Sequence, residues 1–395
     1  MGSTNNDEQV SASDVLAIDA LLEDEELLLR QTVRRFVGEQ VLPNIADWFE
    51  QATLPREIAS ELGELGLLGM HLEGYGCPGG SSVQYGIAAM ELEAGDTGLR
   101  SFVSVQGSLV MFPLHSFGSE DQKQRWLPAL AAGEAIGCFG LTEPDSGSDP
   151  SSLRTLAKRD GRDWVLNGTK LWITNGTIAD VAIIWARTED GTVRGFVVPT
   201  DTPGFTANEV KKKLSLRASR TAELVLEDVR LPADAVLPGV EGMRGPLSCL
   251  NEARYGIIWG TAGAARDCYE RALSYATERT QFGRPIAGFQ LTQQKLVDMM
   301  VKANMAGLLA LHIGRMKDAG TLAYAQISFG KMSNARAALS NARTARSVMG
   351  ANGITLEYHV MRHMVNLESV ITYEGTNEIH TLILGQALTG SSAFR

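Results

Sequence analysis

The hydrophobic period of this chain changes twice along its 395 residues. Up to about residue 135 apolar residues recur at helical spacing, from 136 to about 246 they follow the shorter period of strands, and from 247 helical spacing returns. This pattern predicts a helical domain over 1–135, a mostly β domain over 136–246 and a helical bundle over 247–395. Short strands between turn residues predict a small barrel or sandwich in the middle.

Local signals place elements within this frame. Residues 24–45 carry apolar positions at helical spacing, with a stop at Pro43, and Ser119 before two acidic residues predicts a capped helix. Asn167-Gly168 between two β-rich runs predicts a hairpin turn. The remaining predictions are strands on both sides of 189–191 and long Ala-rich helices over 255–315 and 322–349.

Charge and cysteine usage exclude several classes of protein. Lys plus Arg is 36 and Asp plus Glu is 46, so the formal charge of −10 argues against non-specific nucleic-acid binding. Four scattered cysteines without a C-x-x-C pair argue against a disulfide framework or a zinc site and favour buried, reduced thiols. No apolar run of about eighteen residues indicates a membrane span, and the polar start of the chain lacks the features of a secretory signal. We therefore expect a cytoplasmic location and no membrane or nucleic-acid partner.

Several common catalytic motifs are absent from the sequence. There is no P-loop, no G-x-S-x-G elbow and no strand followed by G-x-G-x-x-G. His359 and His363 are four apart and could share a helix face, but no glutamate stands between them as in H-E-x-x-H. We interpret them as packing or surface residues and predict no metal site.

Three segments carry unusual chemistry. The loop CFGLTEPDSGSDPSS, which begins at Cys138, offers Gly and Ser amides suited to a phosphate or an isoalloxazine edge, or is simply a loop. Trp172 beside Thr174 is either a core side chain at a strand end or a stacking surface for an aromatic cofactor. Glu374 lies in an apolar stretch. Its carboxylate is either desolvated, with a raised pKa that suits a general base, or a solvated helix cap.

Taken together, five segments resemble the acyl-CoA dehydrogenase family in family order over nearly the whole chain. They are LTEPDSGSD (141–149), WITN (172–175), RTQFG (279–283), MGANG (349–353) and YEGTNEI (373–379). The resemblance implies an α+β multidomain fold with an N-terminal helical domain, a middle β-barrel and a C-terminal four-helix bundle. It also implies FAD as cofactor, an acyl-CoA substrate, a homotetramer and an electron-transfer flavoprotein as electron acceptor.

The resemblance assigns roles to individual residues. Glu374 is similar to the base that removes the α-proton of an acyl-CoA while a hydride leaves the β-carbon for the flavin. Residues that resemble flavin contacts within the chain are Phe139, Leu141, Thr142, Gly147, Ser148, Trp172, Ile173, Thr174 and Thr376. Residues that resemble FAD contacts from a neighbouring subunit are Arg279, Phe282, Gln290, Ser347, Gly350 and Ala351. Residues that resemble substrate contacts are Ser148, Leu247, Asn251, Arg254 and Gly375.

Within the family the chain is most similar to glutaryl-CoA dehydrogenases, through ELEAGDTGLRSFVSVQGSLVM, CFGLTEP, LSLRAS, CLNEARYGI and EYHVMRH. Arg100 with Ser101 resembles the clamp for the distal carboxylate of the substrate, and Glu93 a carboxylate that tunes this arginine. Tyr373 resembles the tyrosine of decarboxylating members. The implied reaction oxidises glutaryl-CoA and then releases CO₂ to give crotonyl-CoA. After YEGT, however, Asn377-Glu378 replaces the more common His-Asp, so a short- or branched-chain acyl-CoA dehydrogenase without decarboxylation is the alternative.

Overall fold

A computed structural model of the chain describes residues 11–12 and 14–394. The polar start of the sequence over 1–9, on which the location was predicted, therefore lies outside the described residues. Within the described part, the first third forms seven α-helices and a short hairpin. The helices are α1 (Asp24–Phe36), α2 (Ile45–Gln51), α3 (Ile58–Glu64), α4 (Ser82–Gly95), α5 (Thr97–Ser104), α6 (Phe112–Phe117) and α7 (Glu120–Ala131), and the hairpin strands are β1 (Glu73–Gly74) and β2 (Cys77–Pro78).

The helix boundaries follow from local chemistry. Ser119 accepts a hydrogen bond from the Gln122 amide and closes a capping box at the start of α7, as predicted. Helix α1 continues into a wider π-type turn over Val37–Val41 and ends just before Pro43, which cannot continue the amide ladder. A similar turn over Val105–Met111 links α5 to α6.

The middle third is a curled seven-stranded sheet, and the helical–β–helical fold class is confirmed. Its strands are β3 (Gly137–Gly140), β4 (Leu156–Asp160), β5 (Asp163–Thr174), β6 (Val181–Thr188), β7 (Val193–Pro199), β8 (Phe205–Glu209) and β9 (Thr221–Leu231). They are ordered β3-β6-β4-β5-β9-β8, with β7 paired to β6. The β6–β7 hairpin turns at 189–191, as predicted, and β3 and β4 run parallel to β6.

The predicted hairpin at Asn167-Gly168 is wrong. Both residues lie inside the single strand β5, where the pairing with β9 shifts register between Leu166 and Gly168. The Asn167 side chain bonds across to Asp228 of β9, and a Cβ at Gly168 would lie 2.5 Å from the Thr155 hydroxyl oxygen. Gly168 therefore allows a β-bulge in β5 and the close approach of Thr155, and it does not reverse the chain. The turn into β5 is made instead by Gly161, with φ of +63°.

The last third returns to helices. They are α8 (Arg244–Glu278), α9 (Gln290–Asp318), α10 (Tyr324–Val348), α11 (Val360–Val370) and α12 (Asn377–Thr389), with the hairpin β10 (Thr280–Gln281) and β11 (Arg284–Pro285) between α8 and α9. The predicted helical stretch over 255–315 is therefore two helices. Asn334 of α10 donates hydrogen bonds to Ile258 O of α8 and Ala306 O of α9. Since Asn341, two turns later, does the same with other carbonyls of α8 and α9, buried amides fix how the three long helices pack.

Glycines let α4 and α8 pack at near-backbone distance. The contact involves Gly86 on α4 and both Gly260 and Gly263 on α8, and we call these three residues the glycine seam. Each position has another atom where a Cβ would stand, so any larger residue would force the helices apart. The nearest atoms to such a Cβ are Trp259 Cε2 at 2.2 Å for Gly86, Glu93 Oε2 at 2.0 Å for Gly260 and Met90 O at 1.9 Å for Gly263.

Helix α9 is long and apolar enough, by length and composition, to cross a membrane, which the sequence prediction did not anticipate. Its most apolar window has a mean hydropathy of 1.4, and 44% of that window is buried inside the protein. One such helix is weak evidence for a span, because the core helix of a soluble protein passes the same test. All four cysteines are buried and free, as predicted.

Candidate active site

Glu374 lies at the tip of the turn between α11 and α12. Its backbone has φ of +49°, a left-handed conformation that is costly for a residue with a side chain, and Gly375 follows with φ of +93°. The Thr376 hydroxyl ends the turn by accepting the Ile379 amide at 3.2 Å, which caps α12.

The carboxylate of Glu374 is desolvated, as its apolar neighbours in the sequence predicted. The residue is half-buried, while its Oε2 atom is buried and has no hydrogen-bond partner among the described residues. Burial raises the pKa of Glu374 above its ordinary value, against the opposing effect of Arg100, Arg254 and Lys331. A carboxylate held in this way binds a proton more readily than one in water, which is the property a general base near neutral pH requires.

Two buried cations hold the backbone of this turn. The Lys331 ammonium on α10 donates to Tyr373 O at 3.0 Å and Gly375 O at 2.7 Å, while Arg254 Nε on α8 donates to Glu374 O at 2.7 Å. Three consecutive carbonyls are thereby anchored from two different helices. Sequence reasoning missed Lys331, because a single lysine in an Ala-rich helix gives no signal of burial.

Arg100 forms a buried cluster with Glu93 and Tyr373. Arg100 Nε donates to Glu93 Oε2 at 2.6 Å, and Nη2 donates to the Tyr373 hydroxyl. Thr97 donates to the other Glu93 oxygen at 3.1 Å, so both carboxylate oxygens have a partner. Arg100 Nη1 is buried and has no partner in the part of the chain that the structure describes. The cluster therefore keeps one cationic N–H end of Arg100 available, and its Tyr373 directly precedes Glu374 in the chain.

The surroundings keep Arg100 protonated and the Tyr373 hydroxyl neutral. Burial alone would lower the pKa of Arg100, but Glu93 and the other acidic groups nearby outweigh it and the pKa is raised. Burial raises the pKa of Tyr373 well above its ordinary value, in spite of Arg100. Arg100 is thus a permanent cation with a neutral hydroxyl beside it.

The N-terminal end of α5 places Arg100 inside the protein. Asp96 caps the helix by accepting the Gly98 amide at 2.6 Å, and its other oxygen accepts Arg362 Nη1 at 2.5 Å and Asn366 Nδ2 at 3.0 Å. A Cβ on Gly98 would lie 2.4 Å from Ala218 O, so this turn can approach the β domain only with glycine. Ser101, the next residue after Arg100, is buried with it on α5.

Of the residues that resemble flavin contacts within the chain, those over 139–142 and 172–174 lie in the β domain, while Thr376 caps α12. Phe139 and Leu141 are buried at the end of β3, and Thr142 O accepts the Leu171 amide of β5 at 2.9 Å. Ile173 and Thr174 pair with β9, whereas Trp172 stands in a register shift with φ of +65° and is 60% exposed. Trp172 is therefore a displayed aromatic surface and not the core side chain that a strand-end tryptophan usually is.

The loop over 141–149 is anchored by a buried ion pair that the sequence did not reveal. Glu143 Oε1 accepts the Lys170 ammonium at 2.8 Å, and its two oxygens also accept the amides of Arg154 and Thr155. Gly147 and Ser148 lie exposed at the tip of this loop. Three of the residues that resemble substrate contacts, Leu247, Asn251 and Arg254, share one face of α8 at i, i+4 and i+7. Gly375, another residue of that set, lies on the Glu374 turn.

A second group of predicted residues comprises the six that resemble FAD contacts from a neighbouring subunit. Arg279 follows the C-terminal end of α8, 25 residues after Arg254, which corresponds to roughly 37 Å along the helix. Phe282 is 95% exposed on the β10–β11 hairpin, and Gln290 begins α9. Ser347, Gly350 and Ala351 lie exposed at the C-terminal end of α10. The chain alone therefore does not bring Arg279 to Glu374. Ser347, by contrast, lines one groove with Ile371 and Asn377, which flank the Glu374 turn.

The two histidines of interest have protein partners rather than a shared ligand. His359 Nδ1 lies 2.7 Å from Arg362 Nη2, and His363 Nε2 lies 3.0 Å from Asp267 Oδ2. His359 also precedes α11 with φ of +61°, so the two rings do not sit on one continuous helix face. A groove of about 480 Å³ beside α9 and α10 is lined by basic side chains, among them Lys295, Arg336 and Arg343, and by Ile371 and Asn377.

Comparison with known proteins matches three consecutive segments of this chain to the three domains of one protein family. The N-terminal domain of acyl-CoA dehydrogenases matches residues 23–134, the middle domain matches 138–229 and the C-terminal domain matches 240–389.

Individual relatives extend over nearly the whole chain. A solved glutaryl-CoA dehydrogenase from Mycobacterium smegmatis is 64% identical, with a TM-score of 0.96, over 98% of this chain and 100% of its own. A glutaryl-CoA dehydrogenase from the same organism in complex with FADH2 is 59% identical, with a TM-score of 0.96, over 97% and 99%. The human mitochondrial short-chain specific acyl-CoA dehydrogenase is 34% identical over 371 residues, which are 92% of this chain and 90% of that protein. The chain therefore belongs to the acyl-CoA dehydrogenase family.

Proposed function

We propose that this protein oxidises glutaryl-CoA to an α,β-unsaturated thioester with FAD and then releases CO₂ to form crotonyl-CoA. The observation that carries the choice of substrate is the buried Arg100 Nη1, which has no partner within the described residues. A buried cationic N–H without an acceptor is costly, and the distal carboxylate of a glutaryl chain would supply that acceptor. The identity of 59–64% with glutaryl-CoA dehydrogenases supports the same choice.

The residues around Trp172 fit FAD. The displayed indole of Trp172 offers a stacking surface, and Thr142 and Thr174 offer hydroxyl groups beside it. When bound, FAD would accept the hydride from the substrate β-carbon. Phe282 and the other exposed residues at the far end of α8 would contact FAD in a neighbouring subunit of a homotetramer, because they lie too far from Glu374 to serve their own chain.

The proton chemistry is assigned to Glu374. Its ionised carboxylate removes the α-proton of the thioester, and its raised pKa gives it the affinity to hold that proton. The resemblance to the family implies that the thioester oxygen would accept the Glu374 backbone N–H, and one fixed donor of this kind contributes about 3–4 kcal/mol of transition-state stabilisation. The anchored carbonyls on both sides of this residue keep that N–H and the carboxylate in one arrangement.

Decarboxylation uses the same two groups. Arg100 binds the distal carboxylate beside the neutral Tyr373 hydroxyl while the C–C bond breaks, and CO₂ leaves with the electron pair remaining on the thioester as a dienolate. Protonated Glu374 then returns its proton to the γ-carbon, which gives crotonyl-CoA and restores the carboxylate. Glu93 already occupies one edge of the guanidinium, so Arg100 grips the leaving carboxylate with part of its donors only.

Anaerobic mixing of the holoenzyme with glutaryl-CoA tests this function. We expect bleaching of the flavin, followed by crotonyl-CoA and CO₂ when an electron acceptor is added. Glutaconyl-CoA without CO₂ would retain the dehydrogenase and remove the decarboxylase. Electron-transfer flavoprotein is the acceptor we propose, and oxygen uptake during turnover would instead indicate an oxidase. We propose the cytoplasm as the place of reaction.

A short- or branched-chain acyl-CoA dehydrogenase without decarboxylation is the second candidate. It is favoured by Asn377-Glu378 after the YEGT segment and by the similarity to the human short-chain enzyme. In that case Arg100 would have only a structural role. Bleaching by butyryl-CoA with none by glutaryl-CoA would select this candidate.

A further inference from the structure

Lys331 is a buried ammonium whose hydrogen bonds all lead to the Glu374 turn. It lies on α10 with no solvent exposure and donates to the carbonyls immediately before and after Glu374. It forms no ion pair with a carboxylate in the described residues. The other lysine with no exposed side-chain area, Lys170, pairs directly with Glu143. An unpaired buried ammonium is expensive, so its retention at this place requires a reason specific to the turn.

We propose that Lys331 is a positioning residue for Glu374, which it acts on from the backbone side. Its two hydrogen bonds hold the left-handed turn in the one conformation that aims the carboxylate at the substrate, and its charge favours the ionised carboxylate. This inference rests on the proposed function, in which Glu374 removes the α-proton. Lys331 does not touch the substrate in this scheme and takes no part in proton transfer.

The geometry of the turn supports this role. A left-handed residue with a side chain costs about 1–3 kcal/mol and persists only where the surroundings hold it. Arg254 fixes the Glu374 carbonyl and Lys331 the two adjacent carbonyls, so the peptide groups on each side of Glu374 cannot rotate independently. A Cβ at Gly375 would lie 2.9 Å from His380 Nε2, so the turn is also packed from α12.

The charges around Lys331 define the expected pH dependence. Burial lowers the pKa of Lys331 to about 7, and Glu374 opposes this effect. Lys331 in turn lowers the raised pKa of Glu374. A neutral residue at this position therefore leaves Glu374 with a still higher pKa, and the acid limb of the rate profile moves to higher pH. The other titratable or charged groups that face Lys331 are Arg100 on α5, Arg254 on α8, Tyr373 on the turn, and Glu378 and His380 on α12.

The test measures anaerobic flavin reduction by the holoenzyme from roughly pH 5, just above the ordinary pKa of a glutamate, to roughly pH 9. Butyryl-CoA and glutaryl-CoA both serve as probes, so the result does not depend on the preferred acyl chain. The variants are Lys331→Met, Lys331→Gln and Lys331→Arg. Lys302→Met is the matched control, because Lys302 on α9 bonds only to Ser340 at 3.0 Å.

In Lys331→Met and Lys331→Gln we expect the acid limb to move up by about one pH unit, which is a tenfold loss of rate on the acid side. Lys331→Arg stays charged even where Lys331, with a pKa of about 7, loses its proton, so its limb should lie at or below the pH of the unmodified enzyme's limb and not above it. Lys302→Met should leave it unchanged. A purely structural lysine would lower the FAD content or the melting temperature without moving the limb, and that result would overturn the proposal.

The remaining outcomes are also decisive. If Lys331→Met does not bind FAD, the comparison of Lys331→Gln with Lys331→Arg carries the test. Loss of FAD in all three variants would assign Lys331 to folding and refute the positioning role. Glu374→Gln distinguishes failure of the proposed base function of Glu374 from failure of the positioning role of Lys331. If that variant still reduces flavin at the original rate, the proposed function fails, whereas an inactive Glu374→Gln with unmoved limbs in the Lys331 variants removes only this inference.

Discussion

Glu91 at the α1–α4–α8 contact and Glu374 at the turn before α12 both have desolvated carboxylates, but the two carboxylates have opposite properties. Glu91 accepts bonds at 2.7–3.0 Å from Arg34 and Arg266 on both carboxylate oxygens. Burial alone would raise its pKa, but the two arginines outweigh burial and lower the pKa of Glu91 to about 2. Glu374 has no such direct partner for Oε2, and its pKa is raised. Desolvation is common to both carboxylates, so the difference lies in whether the oxygens are satisfied.

The comparison separates a carboxylate that holds the fold together from one that is kept reactive. At Glu91 the cations point at the carboxylate itself. At Glu374 the cations Lys331 and Arg254 donate to backbone carbonyls of the turn, and Oε2 of the carboxylate has no partner among the described residues. The predictions below test that division.

The largest expected effect is on catalysis in Glu374→Gln. The amide cannot accept the α-proton, so we expect flavin reduction to fall by a factor on the order of 10⁴ while FAD and acyl-CoA still bind. In the unmodified enzyme the rate should rise with pH through the raised pKa of Glu374. Stopped-flow reduction under anaerobic conditions measures both. Near-normal reduction by the glutamine variant would exclude Glu374 as the base.

The matching change at the other glutamate should affect stability and not chemistry. The folded pKa of Glu91, about 2, is below the unfolded value. Its ion pairs therefore stabilise the fold above the unfolded pKa, and this stabilisation is lost as the pH falls from about 4 toward 2. We expect Glu91→Gln to lower the free energy of unfolding at neutral pH by about 3 kcal/mol.

Denaturant titration followed by flavin reduction on the folded fraction checks the Glu91 prediction. The glutamine variant should unfold at a lower denaturant concentration but reduce its flavin at the original rate. A catalytic defect equal to that of Glu374→Gln would contradict the division between the two carboxylates.

A smaller effect is expected on substrate selectivity at Arg100. A charge-assisted hydrogen bond contributes about 1.5–3 kcal/mol, so loss of Arg100 should reduce the preference for glutaryl-CoA over butyryl-CoA by roughly 10- to 100-fold. Arg100→Met alone would leave the buried Glu93 carboxylate without its ion-pair partner. The double variant Glu93→Gln/Arg100→Met is therefore the cleaner probe. The ratio of kcat/KM for the two thioesters measures it, and equal losses on both would indicate a structural arginine.

The smallest effect is expected from one added methyl group at Gly260. Its Cβ would meet Glu93 Oε2 and displace the carboxylate that orients Arg100, at a cost of about 1–3 kcal/mol. Turnover of glutaryl-CoA should fall more than turnover of butyryl-CoA. Gly385→Ala is the control, because a Cβ there meets nothing within 4 Å and alanine favours the helix. Identical behaviour of the two alanine variants would mean that the ion pair can shift without consequence.

Much of this architecture was accessible from the sequence because periodicity and caps are local signals. The capping box at Ser119, the 189–191 hairpin and the desolvated Glu374 follow from residues close in the chain. Asn167-Gly168 misled because the same dipeptide serves a bulge when a partner strand holds its side chain, as Asp228 does here.

The parts of the site that escaped prediction depend on contacts far apart in sequence. Lys331 meets residues more than forty positions later, and Glu91 pairs with arginines from two other helices. A lysine in an Ala-rich helix and a glutamate in an apolar one look alike whether they are exposed or buried, so only the tertiary packing distinguishes them. The assignments of flavin and substrate contacts remain predictions.

The glycine seam between α4 and α8 has a consequence for how freely this sequence can vary. Gly86, Gly260 and Gly263 touch no proposed ligand, yet each stands where another atom already occupies the space of a side chain. On the 35-residue helix α8, the two seam positions therefore accept no larger residue, while the positions that face outward tolerate substitution. Because Glu93 and Arg254 are carried by the same two helices, a replacement in the seam would move both ends of the acyl site together. Directed evolution of acyl-chain preference would therefore find its tolerated changes around the seam, and not within it.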